Sequence, residues 1–262
     1  MKVAAIGDNC IDLYEKLDRF YATGNAVDFA VNMQKLGIDT AVISTTGNDE
    51  YGTLMRKTLE EQGIDLSHFQ VAEGKTAISY MDLKGLDRIY LDYVEGVMEH
   101  VVFTKEDIDF ASSCDLVHSA FWGNAHMHLK EIHDKGAKIC FDYATEYQDP
   151  MVEQTIAYVD YPFFSFEERT EETDRFLKDM VEKGARIAVG TFGDKGSVAY
   201  DGKTYYECGI QEAELVNTIG AGDSYMAGFM NGILKGWDIP KCQEQGAKVA
   251  AGVVSVFGPW VD

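Results

Sequence analysis

Residues 217–223 read Asn-Thr-Ile-Gly-Ala-Gly-Asp and run directly into Ser224–Lys235. In that second segment Met226, Phe229, Met230, Ile233 and Leu234 recur at i, i+3, i+4, i+7 and i+8, one apolar stripe with the helical period. Gly236 supplies a stop. The Gly-Ala-Gly turn therefore delivers the backbone N–H groups of Gly220, Ala221 and Gly222 to a helix N-terminus. Unpaired amides and the positive end of the helix dipole make such a place an anion site. Asp223 stands there, either as a helix cap or as a working carboxylate. The small residues before it let a ligand reach the backbone. A base beside a phosphate cradle is the pairing that phosphoryl transfer needs.

The chain of 262 residues is 46% hydrophobic and 26% charged, enough for one large α/β domain or two small ones. No apolar run reaches the length of a membrane span. The first residues, Met-Lys-Val-Ala-Ala-Ile-Gly-Asp, read as a strand and are too briefly apolar for a signal peptide. Five cysteines without metal spacing suggest free thiols and a cytoplasmic location. A net charge of −21 argues against nucleic acid or an anionic membrane as partner. Solubility explains that charge, and so does an acidic site for a cationic substrate.

Along the chain, Val3–Ile6 is a strand that ends in Gly7-Asp8-Asn9-Cys10-Ile11-Asp12. Ligands of open α/β sheets bind at the carboxyl ends of strands, which places Asp8 and Asp12 to meet one; otherwise they are loop carboxylates. A helix carries Val27 to Leu36, a strand spans Thr40–Ser44, and a further helix stops at Gly63. Lys75–Tyr93 alternates as a hairpin broken at Gly85, which suggests a small accessory sheet whose edges also serve dimer contacts. Thr104–Asp107 reads as a capping box. Strands at Asp115–Ala120, Ala137–Phe141, Tyr158–Ser165 and Arg186–Thr191 then alternate with helices, one of them opened by Glu167 and Glu168 and running to Lys183. This rhythm predicts a single α/β domain over residues 1–262 with a mainly parallel sheet covered on both faces. The spacing of His126, His128 and His133 does not line one helix face, so they are expected at the surface.

Residues 217–223 resemble the carboxy-terminal signature of the ribokinase/PfkB-type sugar kinases, Asp-Thr-x-Gly-Ala-Gly-Asp, with Asn217 for the first Asp. Thr23–Asp28, with the helix ending at Leu36-Gly37, resembles their amino-terminal Gly-Gly-x-x-x-Asn, with Thr23 for Gly and Asp28 for the sugar-contacting Asn. Asp28 is then either a polar helix residue or a contact retuned toward a cationic substrate. Ser165-x-x-Glu168 is similar to an Asn-x-x-Glu element, and Thr191-x-Gly193-x-x-Gly196 to a turn that lies along the ATP phosphates.

The resemblance implies a ribokinase-like three-layer α/β/α fold with a β-sheet lid within residues 10–22 and 75–100. It implies Asp223 as the base, with Gly220, Ala221 and Gly222 as the anion hole. Asp12 and Asp8 would meet the sugar together with Gly24, Asn25 and Asp28. Glu168 would support magnesium through water, Thr191, Gly193 and Gly196 the nucleotide, and Ser255 and Gly258 the adenine-side wall. ATP and Mg2+ are the implied cofactors, with a monovalent cation such as K+ open, and a homodimer through the lid is a further expectation.

Within the family, Gly7–Asp12, Gly24–Val27, Asp92-Tyr93-x-Glu95-Gly96-Val97 and Phe121-Trp122-Gly123 look closest to members that phosphorylate fructosamines such as fructoselysine. Asp92 and Trp122 join the implied substrate contacts. Asp8, Asp28, Asp92, Glu95 and Asp142 would offset the positive amine. Fructokinase-, ketodeoxygluconate- or nucleoside-type substrates are the alternatives, and a non-catalytic sugar sensor is the alternative of another class; the intact Asp223 speaks against the last.

Overall fold

The computed structural model describes residues 1–84 and 87–261. Gly85, the expected break of the hairpin, lies outside the described residues. Thirteen strands form among the rest: β1 (Lys2–Ile6), β2 (Cys10–Tyr14), β3 (Arg19–Thr23), β4 (Asp39–Gly47), β5 (Phe69–Ala72), β6 (Ile78–Lys84), β7 (Asp87–Val94), β8 (Leu116–Ala120), β9 (Lys138–Asp142), β10 (Tyr161–Ser165), β11 (Ala188–Thr191), β12 (Ser197–Tyr200) and β13 (Tyr205–Cys208). The helices are α1 (Asn25–Lys35), α2 (Glu50–Glu61), α3 (Lys105–Ser112), α4 (Leu129–Asp134), α5 (Pro150–Thr155), α6 (Glu171–Glu182), α7 (Ala221–Leu234) and α8 (Ile239–Val254).

Nine strands form one sheet in the order β13-β12-β11-β10-β9-β8-β1-β4-β5, parallel from β11 through β5 and antiparallel at β12 and β13. The pleat sorts its side chains between two layers. Val3 and Ala5 join Phe29 and Val31 of α1, Met55 of α2, and Met226, Phe229 and Met230 of α7. Ala4 and Ile6 join Ile108 of α3, Leu129 of α4, Val152 of α5 and Leu177 of α6. Each of the larger of these buried side chains, the Val, Leu, Ile, Phe and Met, contributes about 1.5–3 kcal/mol. The result is the three-layer α/β/α architecture. On the first layer α7 and α8 cross closely: a Cβ on Gly246 would lie 2.8 Å from the Tyr225 carbonyl oxygen.

The four remaining strands pair as β3-β2-β6-β7, with β2 and β6 parallel and the outer pairs antiparallel. Phe257 joins the first two strands of this smaller sheet to the carboxy-terminal segment, its ring 5.4 Å from Tyr14 and 5.6 Å from Tyr21.

Two of the boundaries that differ from expectation have a visible local cause. α6 starts at Glu171, not Glu167, because Thr170 accepts from the Glu172 and Thr173 amides and forms the capping box itself. β10 starts at Tyr161, since Ile156–Tyr158 closes a 3-10 turn. The capping box at Thr104 and Asp107 forms as expected. All five cysteines are free. Among the described residues no helix is long and apolar enough to cross a membrane.

Candidate active site

Among the described residues six helices run to two turns or more, and four of them start at a side-chain cap: Asp49, Thr104, Thr170 and Asp238. The other two, α1 and α7, start at Gly24 and Gly220 with no side-chain cap. The first amide of each bonds elsewhere, the Asn25 N–H to Asp8 Oδ2 at 2.9 Å and the Ala221 N–H to the Thr218 carbonyl oxygen at 3.3 Å, and no side-chain cap blocks the rest of either turn. Gly220 is required by its backbone, with φ at +67° and a hypothetical Cβ only 2.7 Å from the Pro259 carbonyl oxygen. Gly24, at φ +129°, runs so close to the β1–β2 connection that a Cβ would lie 2.8 Å from the Asp8 carbonyl oxygen. Both N-termini open onto one cavity of about 840 Å³, lined by Gly24, Asn25 and Asp28 of the first and by Gly220 and Asp223 of the second. It lies where the chain reverses direction across the sheet, between the ends of β1 and β8, which is where open α/β sheets take ligands.

Carboxylates dominate this cavity. Asp8, Asp12, Asp28, Glu95 and Asp223 line it, and no Lys or Arg does among the described residues. Asn25 organises two of them: its side-chain amide donates to Asp223 Oδ1 at 3.0 Å and its backbone N–H to Asp8 Oδ2 at 2.9 Å. Burial, with Asp142 and Asp8 nearby, pushes the Asp223 carboxyl well above its ordinary range, while the Asn25 bond opposes the shift. Asp142 at the end of β9 is pushed up to about 6, chiefly by burial. A carboxylate with a raised pKa beside helix N-terminal amides is suited to take a proton from an alcohol as an anion passes the amides.

Aromatic side chains form the rest of the wall: Tyr90, Tyr93, Phe121 and the half-exposed Trp122. His126 joins them, with Nδ1 shielded and without a partner, so it is not the surface histidine expected. A 3-10 turn at His126–His128, just after β8, carries it inward. Only that turn could have signalled this, and short 3-10 turns leave no periodic trace. Asp92, by contrast, is exposed and outside the cavity. Tyr93 takes the inward position on β7, and so does Tyr90 across the register shift opposite Tyr80 and Met81, which leaves Asp92 turned outward.

A second cavity, of about 480 Å³, lies across the Gly-Ala-Gly turn. Ala221 and Gly222 line it, together with Ser165, Thr191, Gly193 and Gly196. Its apolar wall is Ala247, Ala250, Ala251 and Val254 of α8, a spacing of i, i+3, i+4 and i+7 that was legible in the chain. Ser255 and Gly258, expected at an adenine-side wall, do not line this cavity. Ser255 is the exposed C-cap of α8, and a Cβ on Gly258 would lie 3.5 Å from the Tyr21 ring. A Cβ on Gly193 or Gly222 would meet nothing within 4 Å, so the backbone there is open to a ligand. Glu168 lines neither cavity; it is exposed and ion-paired to Lys195 at 2.9 Å.

The departures at Thr23 and Asp28 turn out to be one feature, since Thr23 Oγ1 donates to Asp28 Oδ2 at 2.7 Å. Asn217 accepts from the Ile219 amide at 2.8 Å and donates to the Phe257 carbonyl, which a carboxylate could not do.

Comparison with known proteins agrees with this geometry. Residues 2–260 match the pfkB family of carbohydrate kinases. The chain is 34% identical to fructoselysine 6-kinase of Shigella flexneri, covering 98% of this chain and 99% of that one. It is 31% identical to the fructosamine kinase FrlD of Bacillus subtilis, covering 98% and 92%. Its fold superposes on Arabidopsis thaliana ribokinase, solved with ribose and ATP, at a TM-score of 0.86 and 18% identity over 98% of this chain and 93% of the other. The match to the family over nearly the whole length, together with the two cavities that divide the Gly220–Asp223 turn, places this chain in the pfkB family of carbohydrate kinases.

Proposed function

We propose that this protein is an ATP-dependent fructosamine kinase that phosphorylates the primary 6-hydroxyl of fructoselysine. The observation that carries the reading is the division of one turn between two cavities. Gly220 and Asp223 face the acidic and aromatic cavity, Ala221 and Gly222 the apolar one. A group held in the second is thus handed to a group held in the first across the helix N-terminus. ATP supplies the phosphoryl group, and the open glycines and apolar wall of the second cavity suit a nucleotide.

Mg2+ fits as an ion carried chiefly on phosphate oxygens and water, since the described residues form no cage of three or more ligating side chains. Glu168 is the carboxylate proposed to support it through water, and a monovalent cation such as K+ belongs to the same proposal. Asp223 accepts the hydroxyl proton, Asn25 orients Asp223, and the first-turn amides of α7 stabilise the charge that develops.

The fructosamine assignment draws on the two relatives and on the cavity. A sugar bearing a protonated amine suits a cavity lined by Asp8, Asp12, Glu95 and Asp223 with no opposing Lys or Arg among the described residues, and aromatic faces attract cations. The four-stranded sheet acts as the lid. Its exposed Phe20, Leu91 and Val94 suit a lid-to-lid homodimer.

A coupled ATP-consumption assay tests the reading with fructoselysine, other fructosamines, fructose, ribose, ketodeoxygluconate and adenosine side by side. Preference for fructosamines is the expected result. Preference for a neutral sugar would overturn the substrate assignment, and no turnover on any would overturn the kinase.

A further inference from the structure

Asp28 lies in the first turn of α1, is 2% exposed and lines the substrate cavity. Its Oδ2 accepts from Thr23 Oγ1, while its Oδ1 is shielded from solvent and has no hydrogen-bond partner. Among the described residues the charged groups that act on it most are of one sign: Asp223 on α7, Asp12 on β2 and Asp8 in the β1–β2 connection. Cys10 on β2 shares the cavity wall, and burial and these carboxylates raise its thiol so that it adds no charge of its own. An ionised Asp28 would combine a bare buried oxygen with three like-charged neighbours, which is the costly way to bury a carboxyl group. A proton on Oδ1 removes the charge and turns the orphaned acceptor into a donor.

We propose that Asp28 is held as a neutral carboxylic acid that donates a hydrogen bond to a substrate hydroxyl, which leaves Asp223 as the neighbouring carboxyl free to ionise. The chemistry recognised is a hydroxyl oxygen with an open lone pair, on the sugar part of the substrate. Burial, followed by the Asp223 charge, pushes the Asp28 carboxyl in the required direction, and the Thr23 hydroxyl opposes it. The proposal rests on the kinase reading above for its kinetic test alone.

The test is the pH dependence of KM for fructoselysine, or for the best sugar of the panel should that differ. In the wild type KM rises on the alkaline side by about ten-fold per pH unit once Asp28 loses its proton. Asp28→Asn donates at every pH and loses that limb. Asp28→Ala has no donor, and its KM is raised by about ten-fold across the whole range. Thr23→Val, which lacks the hydroxyl that favours the ionised form, moves the limb to higher pH. An alkaline limb that persists in Asp28→Asn, or an Asp28→Asn as impaired as Asp28→Ala at every pH, would overturn the proposal. An infrared readout needs no substrate: the wild-type minus Asp28→Asn spectrum at neutral pH should show the carbonyl band of a protonated acid. A carboxylate band in its place overturns the proposal whatever the substrate proves to be.

Discussion

Replacing Gly220 by alanine puts a methyl group where the backbone leaves no room. The residue holds φ at +67°, and the left-handed region costs a non-glycine residue about 1–2 kcal/mol. The new Cβ would also lie 2.7 Å from the Pro259 carbonyl oxygen and 3.5 Å from Asp28 Oδ2. The first contact is with backbone, so a segment must move, which costs about 1–3 kcal/mol in a packed site. Together these give a loss of about 2–5 kcal/mol, or a fall in Tm of roughly 5–15 °C for a chain of this size. Moving the turn by an ångström also costs about 100-fold in turnover, because the amides and Asp223 move with it.

Gly222→Ala is the internal control. That position has open space around its Cβ and sits inside α7, so stability should stay within about 1 kcal/mol of wild type. Its methyl group instead enters the second cavity, the proposed nucleotide site, and should lower turnover. Denaturant unfolding and the coupled assay on both variants read the two effects separately. A wild-type stability for Gly220→Ala, or a loss of several kcal/mol for Gly222→Ala, would refute the reasoning.

Further predictions follow from the carboxylates. Asn25→Ala removes a donor to Asp223, which destabilises the ionised form, so the acid limb of kcat should move to higher pH by about one to two units; an unmoved limb would show that Asn25 does not tune the base. Asp142 is pushed up to about 6 from an ordinary 3.8, so the folded protein keeps a proton there that the unfolded chain has lost, and stability falls as pH rises between those values. Asp142→Asn keeps an oxygen to accept the Ala144 amide and should stabilise the protein at neutral pH by up to about 3 kcal/mol, with little effect near pH ~4. An equal effect at both pH values in denaturant unfolding would contradict this.

The chain announces its architecture wherever one local signal acts without a competitor. The apolar stripe of α7, the box at Thr104 and the strand–helix alternation each lead to the observed element. Legibility fails where two signals compete. Glu167 and Glu168 suit a helix start as well as Thr170 does, and the hydroxyl bonds decide. It fails too where the answer is a side-chain direction. Asp92 and Tyr93 are adjacent in a strand with a register shift opposite Tyr80 and Met81, so which of them faces inward depends on the pairing. Asp223, Asp12, Gly24 and Asn25 could be picked out because they belong to dense motifs, and all reach the cavity. The Thr23–Asp28 bond could not be, since residues five apart in sequence span a strand end and a helix start.

The most direct measurement compares wild type with Asp223→Asn, using calorimetry for fructoselysine and nucleotide binding and single-turnover kinetics for transfer. Asparagine is isosteric and still accepts from Asn25, but it cannot take the hydroxyl proton. Binding within a few-fold of wild type, with transfer slowed by about 10²–10⁴-fold, is the predicted result. Transfer near the wild-type rate would contradict the proposed role of Asp223 as the base at the turn the two cavities share.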